Sequence, residues 1–279
     1  GIGAAAAVRM LEDRAKEDKP FYLAVGFYRP HTPYIAPKKY YDMYSRDKIV
    51  LPAIPPNLKD LFPAPALATQ KPAQLAMSDD LRRAAIQAYS ASTTFMDAQV
   101  GLLLDALDRL KLADNTIVVF HGDHGYHLGE KDLWQKMSIF EESARVPLIV
   151  SVPGNGANGK RCARPVELVS LHKTLTDLCG IGADSKTEGH SMRPLVEKPR
   201  ANWDHAALSQ VTRNVDKKEF MGRSVRTERW RYTEWDEGRA GVELYDHDID
   251  PQEMTNLAND SAHKKTVEKM RTLLHDGGK

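Results

Sequence analysis

The 279-residue sequence is poor in cysteine and has no excess of charge, and each shortage excludes a class of protein. Its two cysteines, Cys162 and Cys179, cannot build a disulfide framework and do not have the spacing of zinc ligands. Lys and Arg number 39 against 38 for Asp and Glu, so no global field attracts nucleic acid. No apolar stretch approaches the roughly 20 residues of a membrane-spanning helix. We therefore expect neither a nucleic-acid partner nor a membrane partner.

What is present is the pattern of an α/β protein. Residues 4–17 have the periodicity of an amphipathic helix, and residues 21–27 and 116–120 are apolar runs typical of strands buried on both faces. Residues 145–154 predict a further strand. Ser78 predicts the N-cap of a long helix that ends near Leu110. Helices that alternate with buried strands favour an α/β fold.

The pattern changes after about residue 199. Residues 224–235 alternate as a strand does, a turn follows at 238–241, and residues 242–245 return, which predicts an antiparallel hairpin. Residues 261–274 predict a closing helix. We therefore expect an α/β core over residues 1–198 and a small α+β subdomain over residues 199–279.

Polar residues cluster after two of the predicted strands, where α/β sheets bind their ligands. The residues are Arg29 and His31 after the first strand, and His121, Asp123, His124, His127 and Lys136 after the second. The Asp123-His124 pair combines a carboxylate oxygen with an imidazole nitrogen between two glycines, a donor set that suits a divalent cation. Lys136 could face an anionic group. A rigid surface turn for His31 and a solvated side chain for Lys136 remain alternatives.

Several segments resemble, in the same order, blocks of the type I (formylglycine-dependent) sulfatases, in particular the iduronate-2-sulfatase branch. The segments are 25–34, 91–101, 116–136, 146–149, 167–171 and 243–257. The third contains Gly122-Asp123-His124-Gly125 and Leu128-Gly129-Glu130. The resemblance implies an alkaline-phosphatase-like fold and a sulfuric ester hydrolase that acts on a sulfated sugar or glycosaminoglycan-like substrate.

The resemblance also implies a role for each site residue. Asp123 and His124 would ligate calcium, and Lys136 would hold a sulfate oxygen. His31 would contact the sulfate ester and protonate the leaving alkoxide. Charge neutralisation and a proton for the leaving group are two of the requirements of sulfate ester hydrolysis.

The nucleophile of the family has no counterpart in the sequence. Formylglycine arises in a Cys/Ser-x-Pro/Ala-x-Arg motif, and neither Cys162 nor Cys179 is followed by that pattern. The Asp79-Asp80 pair follows Ser78 and is interpreted as a helix start, not as a metal site. We therefore expect the C-terminal portion of a sulfatase, inactive alone, with an N-terminal chain or segment that completes the fold. The start at Gly1, without Met or a signal core, agrees with a processed or truncated chain.

Other interpretations remain open. A phosphoester or phosphonate hydrolase of the same superfamily would use the same loop, and a non-catalytic remnant or binding module would not need a nucleophile. Arg213, Arg223 and Arg226 could recognise a substrate carboxylate, although exposed surface positions are the favoured interpretation. The resemblance implies a periplasmic or secreted protein, or a lysosomal one in a eukaryote.

Overall fold

A computed structural model of the chain describes residues 1–182, 186–215 and 217–277. The chain forms two compact units, each assembled from separate stretches of sequence. The first comprises Gly1–Pro52, Leu75–Val118 and Ser151–Gly154, and the second comprises Ala53–Gln74, Val119–Val150 and Asn155–Lys279. The expected division after residue 198 stays a prediction.

Helices and short strands are interspersed up to residue 197, and a run of strands and one helix follow. The helices are α1 (Ile2–Arg14), α2 (Lys38–Tyr41), α3 (Leu58–Leu61), α4 (Pro72–Leu75), α5 (Asp79–Arg109), α6 (Glu141–Ala144), α7 (Leu171–Leu178), α8 (Arg193–Glu197) and α9 (Lys264–His275). The strands are β1 (Val118–His121), β2 (His127–Leu128), β3 (Trp134–Gln135), β4 (Leu148–Ser151), β5 (Ala207–Val215), β6 (Lys218–Arg226), β7 (Trp230–Trp235) and β8 (Val242–Asp246).

The long helix α5 begins where the sequence predicts. The Ser78 hydroxyl accepts a hydrogen bond from the Leu81 N–H at 3.3 Å, and Asp79 and Asp80 occupy the first turn. Carboxylates at this end of a helix interact favourably with its dipole. The interpretation of the acidic pair as a helix start is confirmed. Among the described helices, α5 included, none has both the length and the apolar character that crossing a membrane requires.

The core of the first unit lies between α1 and α5. Leu11, Ala106 and Leu107 are buried there, and Phe21 and Leu23 pack against them. Residues 21–27 turn alternate side chains toward this core, while Tyr22 between them is 83% exposed. The prediction of a strand buried on both faces is therefore wrong: residues 21–27 form no strand, and alternate residues along the segment are exposed. Apolar content alone does not reveal how many sides of a segment are covered.

Strands β1 and β4 are neighbours in a two-stranded sheet. They confirm, in shorter form, the strands predicted at 116–120 and 145–154. Partly buried and exposed residues alternate along β4. Burial on both faces is not seen in β1 either, where the residues are partly buried or exposed.

The strands β5 to β8 form an antiparallel sheet in chain order. The prediction of one strand over 224–235 is wrong, because β6 ends at Arg226 and β7 begins at Trp230. Thr227 closes the turn between them: its N–H donates to the Trp230 carbonyl at 2.9 Å, and its hydroxyl accepts from the Trp230 N–H at 3.1 Å. The alternation of residue types continues through this turn and conceals it. The predicted return strand and closing helix are confirmed as β8 and α9.

Neighbouring residues of β7 and β8 point to opposite faces of this sheet. A cluster of buried side chains covers each face. The cluster against α9 contains Ala206, Val225, Tyr232, Leu244, Met270 and Leu274. The other cluster contains Leu58, Phe62, Ala66, Leu67, Leu133, Ile139, Phe140, Trp235 and Tyr245. Leu133 and Phe140 flank Lys136 in the sequence, so this second core holds the segment that carries one of the candidate residues.

Candidate functional site

The candidate loop lies between β1 and α6 and folds back on itself. The strands β2 and β3 pair antiparallel, with His127 opposite Gln135 and Leu128 opposite Trp134. Gly129 (φ 114°) and Lys131 (φ 56°) allow the tight reversal between them. The hairpin returns the chain, so that Lys136 follows directly after the partner of His127. Asp123, His124 and Lys136 are therefore brought into one loop by the hairpin.

Asp123 and His124 present their ligand atoms to each other. The Asp123 Oδ2 atom lies 3.7 Å from His124 Nε2, and Asp123 Oδ1 accepts the His124 main-chain N–H at 3.1 Å. His124 Nδ1 lies 2.7 Å from the Gly125 carbonyl oxygen. Because a carbonyl only accepts, Nδ1 carries the proton, which leaves the Nε2 lone pair directed toward the Asp123 side. The carboxylate is 87% exposed and open to a ligand.

This arrangement fits a divalent cation. A histidine that binds a metal through one ring nitrogen commonly donates from the other to a carbonyl, as His124 does. Calcium takes about six to eight oxygen-rich ligands, so Asp123 and His124 would supply a part of its coordination.

Gly125 is needed because α6 packs against the loop at this point. The Gly125 N–H donates to the Ser143 carbonyl at 2.7 Å, and the Tyr126 N–H donates to the Glu142 carbonyl at 2.6 Å. A Cβ atom at position 125 would lie 2.1 Å from the Glu142 carbonyl oxygen and 2.7 Å from that of Arg145. The carbonyls of α6 and of Arg145 thus set the position of the Asp123-His124 pair through its neighbour.

The main chain at Lys136 is fixed by hydrogen bonds from α6 and its approach. The Lys136 carbonyl accepts from the Ser138 N–H at 2.9 Å and from the Ser143 hydroxyl. Gln135, just before it, has φ 79°, a conformation that side chains other than glycine rarely adopt. Such a conformation persists where its surroundings hold it.

Behind the loop, charges are buried in pairs. The Lys131 ammonium lies 2.8 Å from Glu142 Oε1 and 4.6 Å from the centre of the Phe140 ring. His127 is buried, with Nε2 2.7 Å from the Ser138 hydroxyl. Burial, together with the Lys131 charge, lowers the pKa of His127 to about 3, so this histidine is neutral. His127 packs within the hairpin, held through Nε2 by the Ser138 hydroxyl.

A second group of ligand-type atoms lies deeper in the same unit. One atom each from Glu141, His247 and Glu253 lie within 4.8 Å of one another. The Arg231 guanidinium bonds to both carboxylates, and Arg226 lies 3.3 Å from Glu141. Burial opposes ionisation of Glu253, but Arg231 and a hydrogen bond from His247 outweigh it and lower the pKa of Glu253 to about 2. Arginine already provides the positive charge, so this cluster is an ion-pair network.

His31 lies in the first unit and is described by itself. Its ring is exposed, with Nδ1 2.7 Å from the Thr32 carbonyl oxygen, and its N–H donates to the Tyr28 carbonyl at 3.0 Å. The Arg29 guanidinium donates to the carbonyls of His31 and Pro33 at 2.9 and 2.7 Å. These bonds hold the turn, as its prolines predict. With Nδ1 bonded to a carbonyl, Nε2 is the nitrogen that can exchange a proton with a ligand.

The three arginines considered in the sequence differ in their surroundings. Arg223 is exposed, as expected. The expectation of an exposed position is wrong for Arg213, which is 3% exposed, and for Arg226, which pairs with Glu141. Arg213 donates to the carbonyls of Thr212 and Met137, the latter 76 residues away. No local pattern in the sequence indicates a contact over that distance. The sequence therefore did not identify Arg213 as a neighbour of the Lys136 main chain, and it did not identify Ser143 either.

Two family models match the chain. The Sulfatase model matches residues 4–181, and the model of the C-terminal part of N-sulphoglucosamine sulphohydrolase matches residues 129–278. The first match covers well over half of the chain. The chain belongs to the sulfatase family. Both matches include Lys136, and the first also includes the whole hairpin and His31.

Curated relatives extend this sulfatase match over most of the chain. A sulfatase from Formosa agariphila is 33% identical over 261 residues, which cover 92% of this chain and 50% of the relative. Human iduronate 2-sulfatase is 32% identical over 335 residues, which cover 91% of this chain and 61% of the relative. The chain thus spans about half to three fifths of the length of these curated relatives.

Solved structures show the same fold. One, a complex with its substrate D-glucosamine-2-N,6-O-disulfate, matches 99% of this chain and 68% of its own with a TM-score of 0.82 at 21% identity. The phosphonate monoester hydrolase of Agrobacterium radiobacter matches 98% of this chain and 59% of its own with a TM-score of 0.82 at 24% identity. The expected α/β fold of the alkaline-phosphatase-like sulfatases, with a small C-terminal sheet subdomain, is confirmed.

Proposed function

We propose that this chain takes part in the hydrolysis of a sulfuric ester on a sulfated sugar. One observation carries the proposal: within the segment that matches the sulfatase family, Asp123 Oδ2 and the free lone pair of His124 Nε2 lie 3.7 Å apart on an exposed loop. Lys136 directly follows the hairpin whose first strand begins at His127. An anionic ester beside a cation site and a lysine has its charge neutralised on more than one oxygen.

Each residue has a distinct task in this proposal. Asp123 and His124 would hold a calcium ion, and the chemistry such an ion would supply is polarisation of the sulfate group. The Lys136 ammonium would hold a second sulfate oxygen, and the main chain that carries it is fixed by the bonds to its carbonyl. His31 would give a proton from Nε2 to the leaving alkoxide, and its bond to Thr32 keeps the ring in one orientation.

The nucleophile is proposed to come from outside these 279 residues. Neither Cys162 nor Cys179 lies in a Cys/Ser-x-Pro/Ala-x-Arg motif, and no serine of the sequence does. Both cysteines are exposed and unpaired. A formylglycine borne by an N-terminal segment or chain would complete the reaction, and the present chain alone would be inactive. If the chain binds a sulfated sugar but does not hydrolyse it under any condition, the binding-module interpretation applies.

A sulfated sugar is the proposed substrate class because of the relatives. They include an iduronate 2-sulfatase and, among solved structures, a complex with a disulfated glucosamine. A phosphonate ester is the second candidate, since the phosphonate monoester hydrolase has the same fold with an equal TM-score. Both solved structures are below 25% identical and speak for the fold alone. The sulfate ester is preferred because a relative that is 32% identical over 91% of this chain is a sulfatase.

Ligand binding by the purified chain tests the proposal. Calorimetry with calcium present should detect a 2-O-sulfated uronate disaccharide more strongly than its desulfated form, and removal of calcium should weaken that binding. Stronger binding of a phosphonate monoester of similar size would support the second candidate. If neither ester binds more strongly than its neutral counterpart, the proposal is wrong.

Turnover is measured in the same samples. We expect no sulfate release by the chain alone, because its sequence has no formylglycine motif. Calcium-dependent release from the pure 279-residue chain would show that the nucleophile lies within it after all.

We propose an exported location, periplasmic or secreted, or lysosomal in a eukaryotic cell, which is the usual location in the family that the chain resembles. Fractionation of cells that express the gene, with immunodetection of the chain, tests this. Detection only in the cytosolic fraction would contradict it.

A further inference from the structure

Arg213 is a buried cation that forms no ion pair with any carboxylate of the described residues. It lies on β5 and is 3% exposed. Burial is the one cause that lowers its pKa, to about 10, so it remains protonated at neutral pH. Its Nε atom has no hydrogen-bond partner among the described residues. Burying a charge without a counter-ion costs free energy, so its remaining contacts matter more than usual.

Both hydrogen bonds between the guanidinium and the described residues go to main-chain carbonyls. One nitrogen, Nη1, donates to the Thr212 carbonyl of its own strand at 2.8 Å. The other, Nη2, donates to the carbonyl of Met137. Met137 directly follows Lys136, and its own side chain is half exposed, so this bond fixes backbone and not a packed side chain.

The Met137 bond completes a set around Lys136. The Lys136 carbonyl is already held by the Ser138 N–H and the Ser143 hydroxyl. Gln135 on the other side has φ 79°, a conformation that requires outside support. Arg213 provides that support from the C-terminal sheet, through a contact between residues 76 positions apart in the sequence.

We infer that Arg213 is a positioning residue, which fixes the main chain at Lys136–Met137 and thereby directs the Lys136 ammonium toward a sulfate group. The inference rests on the proposed function, in which Lys136 binds sulfate. A charged donor makes a stronger hydrogen bond to a carbonyl than a neutral one does, which suits a strained stretch of backbone. In this proposal Arg213 does not contact the substrate. It acts on the sulfate-binding Lys136 through the Lys136–Met137 peptide.

The test compares three arginine variants of the full chain. Arg213→Met removes the charge and both bonds at similar length, Arg213→Lys keeps the charge but cannot reach both carbonyls, and Arg223→Met is the control on the exposed arginine of β6. Affinity for inorganic sulfate is measured by calorimetry, relative to Lys136→Met. The Lys136 side chain is followed by NMR after ¹³C-methylation of lysines, with its signal assigned from Lys136→Arg.

We expect Arg213→Met to bind sulfate about tenfold more weakly, since small displacements of a binding group have large effects. The Lys136 signal should shift at temperatures far below unfolding, Arg213→Lys should be intermediate, and Arg223→Met should behave as the parent. A purely structural role predicts a lower melting temperature with unchanged affinity and signal, and that result would overturn the inference. If Arg213→Met does not fold, Arg213→Lys decides by the same two readouts.

The two proposals fail in different ways. Equal sulfate affinity in the parent and in Lys136→Met would remove Lys136 from the proposed sulfate site. The Lys136 signal in the Arg213 variants would still report whether Arg213 fixes the backbone. An unchanged signal together with sulfate binding that depends on Lys136 would overturn the positioning role alone.

Discussion

A single hydrogen bond determines what His124 can bind. Its Nδ1 proton is directed to the Gly125 carbonyl, and Nε2 is left beside the Asp123 carboxylate. His121 lies three residues earlier in the same loop and is exposed, with Nδ1 3.1 Å from the Gly122 carbonyl. The two histidines lie in one loop, but within the described part of the chain only His124 has a carboxylate next to its Nε2 atom.

We therefore expect His124→Ala to weaken calcium binding by the chain by about tenfold or more, the effect of losing one metal ligand or its support. His121→Ala should leave the affinity unchanged, and it serves as the matched control. Calcium titration by calorimetry measures both. An equal loss in the two variants would mean that the loop attracts calcium through general polarity.

The structure leaves no space for a methyl group at position 125, which is a glycine. Its Cβ would meet the Glu142 carbonyl oxygen at 2.1 Å, whereas a Cβ at Gly101 in α5 meets nothing within 4 Å. We expect Gly125→Ala to lower the free energy of unfolding by about 2 kcal/mol or more. Gly101→Ala should raise it by roughly 0.5–1 kcal/mol, because alanine is the better helix former. Urea unfolding measures both, and similar values would contradict the close packing of α6 on the loop.

At the scale of elements, the sequence predicts what is local. Ser78 and Asp79 predict the start of α5 because capping depends on residues within one turn. The polar stretch after β1 predicts that Asp123 and His124 share one loop for the same reason. The bond from Arg213 to Met137 spans 76 residues and depends on which sheet edge faces the hairpin, and no local pattern contains that information. The sequence does not reveal the turn at Thr227, because the alternation of residue types continues through it.

The element that joins α6 to the C-terminal sheet is an ion-pair network. Arg231 of β7 bonds to Glu141 of α6 and to Glu253, and the Glu253 carboxylate also accepts the Glu141 N–H at 2.8 Å. Since the carbonyls of α6 hold the Asp123 loop, the network supports the candidate site from behind. Its strength depends on Glu253 being ionised.

Acid should weaken this network. Glu253 has a pKa of about 2 in the folded chain, below its ordinary value of 4.5, so the unfolded chain binds a proton that the folded chain does not. The stabilisation is complete above about pH 5 and is lost as the pH falls toward about 2. We expect the difference in unfolding free energy between the parent and Glu253→Gln to narrow over that range. Glu268→Gln, on an exposed position of α9, should show a constant difference. A constant difference in both variants would contradict the role of Glu253.

At the scale of the whole molecule, charge is balanced at 39 basic against 38 acidic residues. A ligand therefore meets the charges near it and not a field of the entire chain. The exposed Asp123 carboxylate and the part-buried Lys136 are such local charges. Ions that bind there should act on the stability of the folded chain only through these contacts.

Calcium should accordingly raise the unfolding midpoint of the chain. A ligand that binds only the folded state stabilises it by about 1.4 kcal/mol at ten times its dissociation constant, which corresponds to a shift of a few degrees in a protein of this size. Asp123→Asn keeps the shape of the side chain but removes the charge that the cation needs, so its midpoint should not respond. Differential scanning calorimetry with and without a chelator measures the shift. The same shift in the parent and in Asp123→Asn would place the calcium elsewhere and remove Asp123 from the proposed site.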